Sequence, residues 1–150
     1  MLALTHRQNW LQDAGCKTLV AGRRAQGASF WVADVVKSDW ADGLPQWGEG
    51  AGTVAFDRIL LLALLHHIPG GDVRARILRQ VRDLFAPQGR AIVSTWQFMD
   101  NERMRGKIVP WSAVEIDERE LEPGDALLDW KRDGSGLRYC HWIGEDELRA

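Results

Sequence analysis

Cysteine is scarce in this chain. Cys16 and Cys140 are the only two in 150 residues, which excludes a disulfide-stapled scaffold, and their separation matches no paired Cys-x-x-Cys metal motif. Both read as plain buried thiols. Long apolar runs are also missing: the longest, residues 59–65, falls far short of the roughly 20 residues a helix needs to cross a bilayer. The N-terminus lacks the charged start, apolar stretch and small-residue cleavage site of a signal peptide. A soluble, cytoplasmic protein without membrane contact is expected. Neither sign of charge dominates, with 19 basic against 21 acidic residues and a formal net charge of -2. Bulk attraction to nucleic acid is therefore excluded, although a local basic patch is not. The chain holds no Gly-x-x-x-x-Gly-Lys-Ser/Thr loop, no Gly-x-Ser-x-Gly elbow, no His-Glu-x-x-His pair and no Gly-x-Gly-x-x-Gly fingerprint. Its one glycine-rich stretch, GEGAG at residues 48–52, precedes an apolar run instead of joining a strand to a helix, so it reads as a loop.

What is present is enough for one folded domain. Hydrophobic residues make up 45% of the chain and eight of them are Trp, which excludes intrinsic disorder. Residues 9–24 place Trp10, Leu11, Ala14 and Leu19 at near-helical spacing. Residues 29–36, SFWVADVV, suit a buried strand followed by a loop, and residues 43–53 read as a loop rich in Gly and Pro. Residues 56–68 open as a continuous apolar strand of the kind covered on both faces in a parallel sheet. The clearest helix spans residues 72–85, with Val73, Ile77, Leu78, Val81, Leu84 and Phe85 on one face and Arg74, Arg76, Arg79 and Arg82 on the other. Asp72 is placed to cap its start, and Pro87 and Gly89 lie past its end. Residues 90–96 follow as another strand. Strand, helix, strand at these lengths implies a crossover in a mostly parallel α/β sheet. Beyond Trp96, residues 100–107 suggest a short charged helix and residues 100–136 a lid-like insertion. The tail offers a strand over residues 137–143 and a short helix over residues 145–149.

Three groups of residues can carry chemistry. Asp34 stands at the carboxyl end of its strand, where ligands of open parallel sheets sit, and can accept hydrogen bonds from a nucleoside; a solvated loop aspartate is the equal alternative. His66 and His67 follow a strand, but adjacent residues on an extended backbone point to opposite sides, so one histidine filling a helix junction is preferred to a metal site. In residues 137–143, alternation puts Arg138 and Cys140 on one face and Tyr139 and His141 on the other. Either face can bind an anion, and mixed exposure is the plainer reading. The arginine face of the 72–85 helix reads as solvent-facing charge.

The segments VADVV, FDRILLLALLHHI, RARILRQVRDLFAPQGR and IVSTWQF, in that order, resemble the class I S-adenosylmethionine-dependent methyltransferases, of the type 11-like kind. EPGDALLDW and LRYCHW narrow the resemblance to the branch of wobble-uridine tRNA carboxymethyl methyltransferases, with Cys140 where that branch usually has a second Tyr. The resemblance implies a partial Rossmann-like fold and S-adenosylmethionine as cofactor. Asp34 would then bond the adenine amino group, Val35 would flank the ring, Leu62, Ala63, Leu64 and Leu65 would line the methionine side, and His66 would sit near the pocket mouth. Arg138, Tyr139 and His141 would orient an anionic acceptor, a uridine carboxylate in tRNA. No acid or base is assigned a catalytic role, because methyl transfer depends mainly on alignment.

The Asp-x-Gly-x-Gly-x-Gly loop of that family is absent; DAGC at residues 13–16 continues as KTL and does not supply it. The final strands of the family are absent too. The chain is therefore expected to represent the middle of such a domain, a fragment or a degenerate form, with exposed sheet edges that favour pairing with a second copy or a partner chain. The alternative function is a non-catalytic subunit or binding module that retains the scaffold. A metal hydrolase built on His66, His67 and His141 is the weakest reading.

Overall fold

The computed structural model describes residues 33–42, 55–130 and 136–149. The expected helix over residues 9–24, the loop over residues 43–53, Cys16 and the start of the 29–36 strand lie outside them. The elements in chain order are β1 (Phe56–Leu62), α1 (Gly71–Asp83), β2 (Phe85–Ser94), α2 (Glu102–Arg105), β3 (Ile108–Val109), β4 (Asp125–Asp129), β5 (Leu137–His141) and α3 (Glu145–Arg149). β1 and β2 pair in parallel, with Ile59 opposite Ala91 and Leu61 opposite Val93. The connection between them carries α1, as a parallel pair requires.

The fold is mixed α/β. The expectation of a mostly parallel sheet is corrected by the second sheet, in which β3, β4 and β5 pair antiparallel in that order. Residues 100–136, read as a lid, contribute two of its strands. Local sequence accounts for this. Gly124 turns the chain at φ 98° immediately before β4, a conformation open to glycine at little cost. Among the described residues no helix is long and apolar enough to cross a membrane.

α1 buries Ile77 and Val81 against Val35, Leu61, Leu65, Ile68 and Ile143, the face its apolar spacing predicts. Several details differ from the pattern: Leu78 is exposed, and the helix stops at Asp83, so that Phe85, Pro87 and Gly89 belong to β2. Asp72 does not cap the helix: Gly70 precedes it at φ 88°, and the Gly71 N–H donates to Glu122 Oε1 at 2.7 Å. Arg74 does not face solvent but is buried, for a reason given below. β1 is likewise not covered on both faces among the described residues. Ile59 and Leu61 turn to the core, whereas Leu60 and Leu62, with Ile92 of β2, are more than half exposed at 56%, 61% and 56%.

A second core lies under the antiparallel sheet, where Phe98, Ala126, Leu128 and Cys140 are buried and Trp96, Met104 and Trp142 pack against them. α2 is a single turn capped by Asn101, whose side chain accepts the Met104 N–H at 3.0 Å. At the start of the parallel pair, a Cβ on Gly89 would lie 2.7 Å from the Phe56 carbonyl oxygen and 3.0 Å from that of Ala86. Gly89→Ala is therefore expected to destabilise the chain by about 1–3 kcal/mol, the usual range for forced overpacking. Urea denaturation checks this, and an unchanged midpoint would show that the strand entry yields freely.

Candidate ligand site at the carboxyl ends of the parallel strands

β1 ends in a sharp change of direction. Ala63 adopts φ 52°, unusual for a residue with a Cβ, and its N–H is held by the Ser94 carbonyl at 3.1 Å and by Ser94 Oγ at 2.9 Å. The chain then enters a tight turn over Leu65–His67. This fixes the two strand ends together and puts both histidines directly beyond them.

The sequence-assigned residues divide into two groups here. Val35, Leu65 and His66 are interior. Asp34, Ala63 and Leu64 are half-buried and Leu62 is open to solvent. Asp34 folds back on its own turn, accepting the Val36 N–H on Oδ1 at 3.1 Å, and Arg76 secures the same turn by donating to the Val36 carbonyl at 2.6 Å. Asp34 Oδ2 accepts no hydrogen bond among the described residues and remains available to a ligand donor.

His66 is fully buried, and its Nδ1 accepts the Trp96 N–H at 3.4 Å. That assignment puts the ring proton on Nε2, which has no partner. Burial, with His67 and Arg138 adding repulsion, lowers its pKa to about 3, so the ring is neutral. The His67 pKa is also lowered, chiefly by burial, against the opposing effect of its bond to the Tyr139 carbonyl. Cys140 Sγ lies 3.7 Å from the same His67 nitrogen.

Arg138, Tyr139 and His141 separate across β5 as its alternation requires. Arg138 stands over the Trp130 ring at 4.7 Å. Tyr139 and His141 turn the other way into a buried polar network that sequence reasoning did not find. Asp125 Oδ1 accepts from the Tyr139 hydroxyl at 2.5 Å and from His141 Nδ1 at 2.6 Å. His141 Nε2 meets Glu147 at 2.8 Å. Arg74 completes the set, donating to Glu147 at 2.9 Å, to Glu122 at 3.0 Å and to the Ile68 carbonyl at 3.0 Å.

Burial alone would discharge these groups, but the opposite charges outweigh it. The His141 pKa is raised by Asp125 and Glu147, and those of Asp125 and Glu147 are lowered by the donors facing them. Arg74 is held more firmly charged by Glu147 and Glu122. Glu122, Asp125 and His141 offer ligand atoms within 4.8 Å of one another, but Arg74 already supplies the cation there, 3.1 Å from His141 Nε2. His66, His67 and His141 do not form a ligand group among the described residues. The sequence signal for this network is the alternation over residues 137–143, which sets Tyr139 and His141 on one face; Arg74, Glu122, Asp125 and Glu147 carry none. No known protein family matches the chain, and no curated protein is significantly similar to it.

Proposed function

We propose that this chain is a methyltransferase-type protein that binds S-adenosylmethionine at the carboxyl ends of β1 and β2 and takes a modified uridine carboxylate of tRNA as acceptor. The observation that carries the reading is the β1–α1–β2 unit ending in the clamped turn from Leu62 to His66, the position where open parallel sheets take ligands. The residues present fit a nucleoside cofactor. Asp34 Oδ2 is free to accept from an adenine amino group or a ribose hydroxyl. Val35 and Leu65 belong to one apolar cluster, against which Leu64 packs. The cofactor, when bound, supplies an electrophilic methyl group on sulfur. The protein's part is to hold that group in line with the acceptor oxygen while excluding water, which requires no titrating residue. Arg138 is the cation placed for an anionic acceptor, while Tyr139 and His141 act behind it by fixing β5 against β4.

A second reading, a scaffold that pairs with another chain and binds no cofactor, is favoured by the uncovered apolar face of β1 and β2, where Leu60, Leu62 and Ile92 are exposed. Calorimetric titration of the full chain with S-adenosylmethionine and S-adenosylhomocysteine decides between them. Saturable binding of both is expected, weakened about tenfold in Asp34→Ala, the usual worth of one good hydrogen bond to a ligand. A folded chain that releases no heat with either compound would refute cofactor binding and leave the scaffold reading.

A further inference from the structure

Three carboxylates meet the cations of the buried polar network, and they are not held alike. Glu122 and Asp125 are tied to the backbone: Glu122 Oε1 accepts the Gly71 N–H at 2.7 Å, and Asp125 Oδ2 accepts the Glu122 N–H at 2.9 Å. Glu147 accepts from no backbone N–H among the described residues. It stands on α3, whose five residues bury no side chain. Among the described residues, the hydrogen bonds that join α3 to another strand or helix all pass through Glu147.

The two oxygens of Glu147 are divided between two cations. Oε1 accepts from Arg74 Nε at 2.9 Å and lies 2.8 Å from its Nη2. Oε2 accepts from His141 Nε2 at 2.8 Å. His141 Nδ1 also meets a carboxylate, Asp125, at 2.6 Å, so both ring nitrogens donate and the ring is an imidazolium. The Arg74 and His141 side chains are 6% and 3% exposed, whereas that of Glu147 is 36% exposed. The receptor is thus set from within by Glu122 and Asp125, and its occupant reaches in from the surface.

Charge selects the kind of anion that can replace this occupant. Without Glu147 the receptor contains two cations and two carboxylates, with Glu122 3.0 Å from Arg74 Nη2. A carboxylate monoanion restores the present balance, whereas a phosphate dianion adds a further negative charge beside Glu122. We propose that Arg74 and His141 form a carboxylate-binding site that Glu147 fills as a displaceable internal ligand, and that a small organic acid enters it when α3 lifts away. The site is separate from the cofactor position at the ends of β1 and β2, and takes nothing from that reading.

Glu147→Ala removes an acetate-sized piece of side chain, so acetate is the probe. In urea denaturation of the full chain, about 0.2 M sodium acetate is expected to raise the folded-to-unfolded ratio of Glu147→Ala about tenfold over sodium chloride of equal ionic strength, as a ligand at about ten times its Kd does. Sodium phosphate should give no such gain. Glu147→Gln keeps its bulk in the receptor and feels the same general salt effects, so it should gain far less from acetate. If Glu147→Ala is unfolded in chloride, acetate should refold it. In the parent, where the tethered carboxylate competes, rising acetate should move the amide NMR resonances of residues 145–149 toward their positions in Glu147→Ala. Equal acetate gains in Glu147→Ala and Glu147→Gln, or gains no larger than in chloride, would overturn the site. Rescue of Glu147→Ala with parent resonances that stay fixed would overturn displacement and make Glu147 a permanent part of the fold.

Discussion

Lowering the pH from 6.5 to about 3 is expected to cost the folded chain on the order of 4 kcal/mol through His66 alone, since its pKa falls across that span on folding. Below 6.5 the unfolded imidazole takes up a proton that the buried ring refuses, so stability falls with pH until the folded ring itself titrates. His67, displaced in the same direction, adds to the loss. His141 works the other way. Its raised pKa gives a contribution fully present below the ordinary histidine value and lost as pH rises through the folded one. Asp125 and Glu147, both lowered, keep their contributions until the pH falls below ordinary carboxylate values. Urea denaturation at a series of pH values should therefore show stability declining on acidification. His66→Gln, which cannot titrate, should remove most of that slope whatever it does to absolute stability. An identical slope in the variant would show that the ring is open to water and protonates freely.

Arg74→Met is expected to destabilise the chain by about 3 kcal/mol, the lower end of what removing one partner from a buried ion pair costs. The lower end applies because the Glu122 and Glu147 side chains remain 31% and 36% exposed, and water can partly replace the guanidinium. Arg74→Lys should recover little, because one ammonium cannot reach Glu122, Glu147 and the Ile68 carbonyl together. Equilibrium denaturation reads both variants. A loss below about 1 kcal/mol would mean that the two carboxylates are adequately solvated without their partner.

The sequence was most informative where the signal is periodic. Val73, Ile77 and Val81 placed α1, and the alternation from Leu137 to His141 separated Arg138 from Tyr139 and His141 as observed. It was least informative where a partner lies far along the chain. Arg74 sits among arginines of the same helix, and nothing local marks it as the buried one. Its partners Glu122 and Glu147 are 48 and 73 residues away and look like any surface acid. The apolar run of β1 showed that a strand forms there but not that Leu60 and Leu62 emerge on an uncovered face. Trp96 and Trp130, which stack at 5.2 Å between ring centroids, were visible only as two of eight tryptophans, because their contact joins the exit of β2 to the end of β4. The resemblance led to the strand ends and to Asp34, whereas the polar network and the indole stack required the geometry.

The Arg74 clasp has a consequence for the order of folding. β4 and β5 are neighbours along the chain and pair antiparallel, so their contact closes a short loop. β1 and β2 need a whole crossover between them, and the bonds from Arg74 to Glu147 span 73 residues. Contacts of such long separation repay their entropy last. A clasp formed after the folding barrier adds almost nothing to the rate of reaching the native state and acts instead on how long that state persists. Arg74→Met should then refold at nearly the parent rate and unfold faster by almost the whole of its stability loss, so that Arg74 governs the lifetime of the native chain.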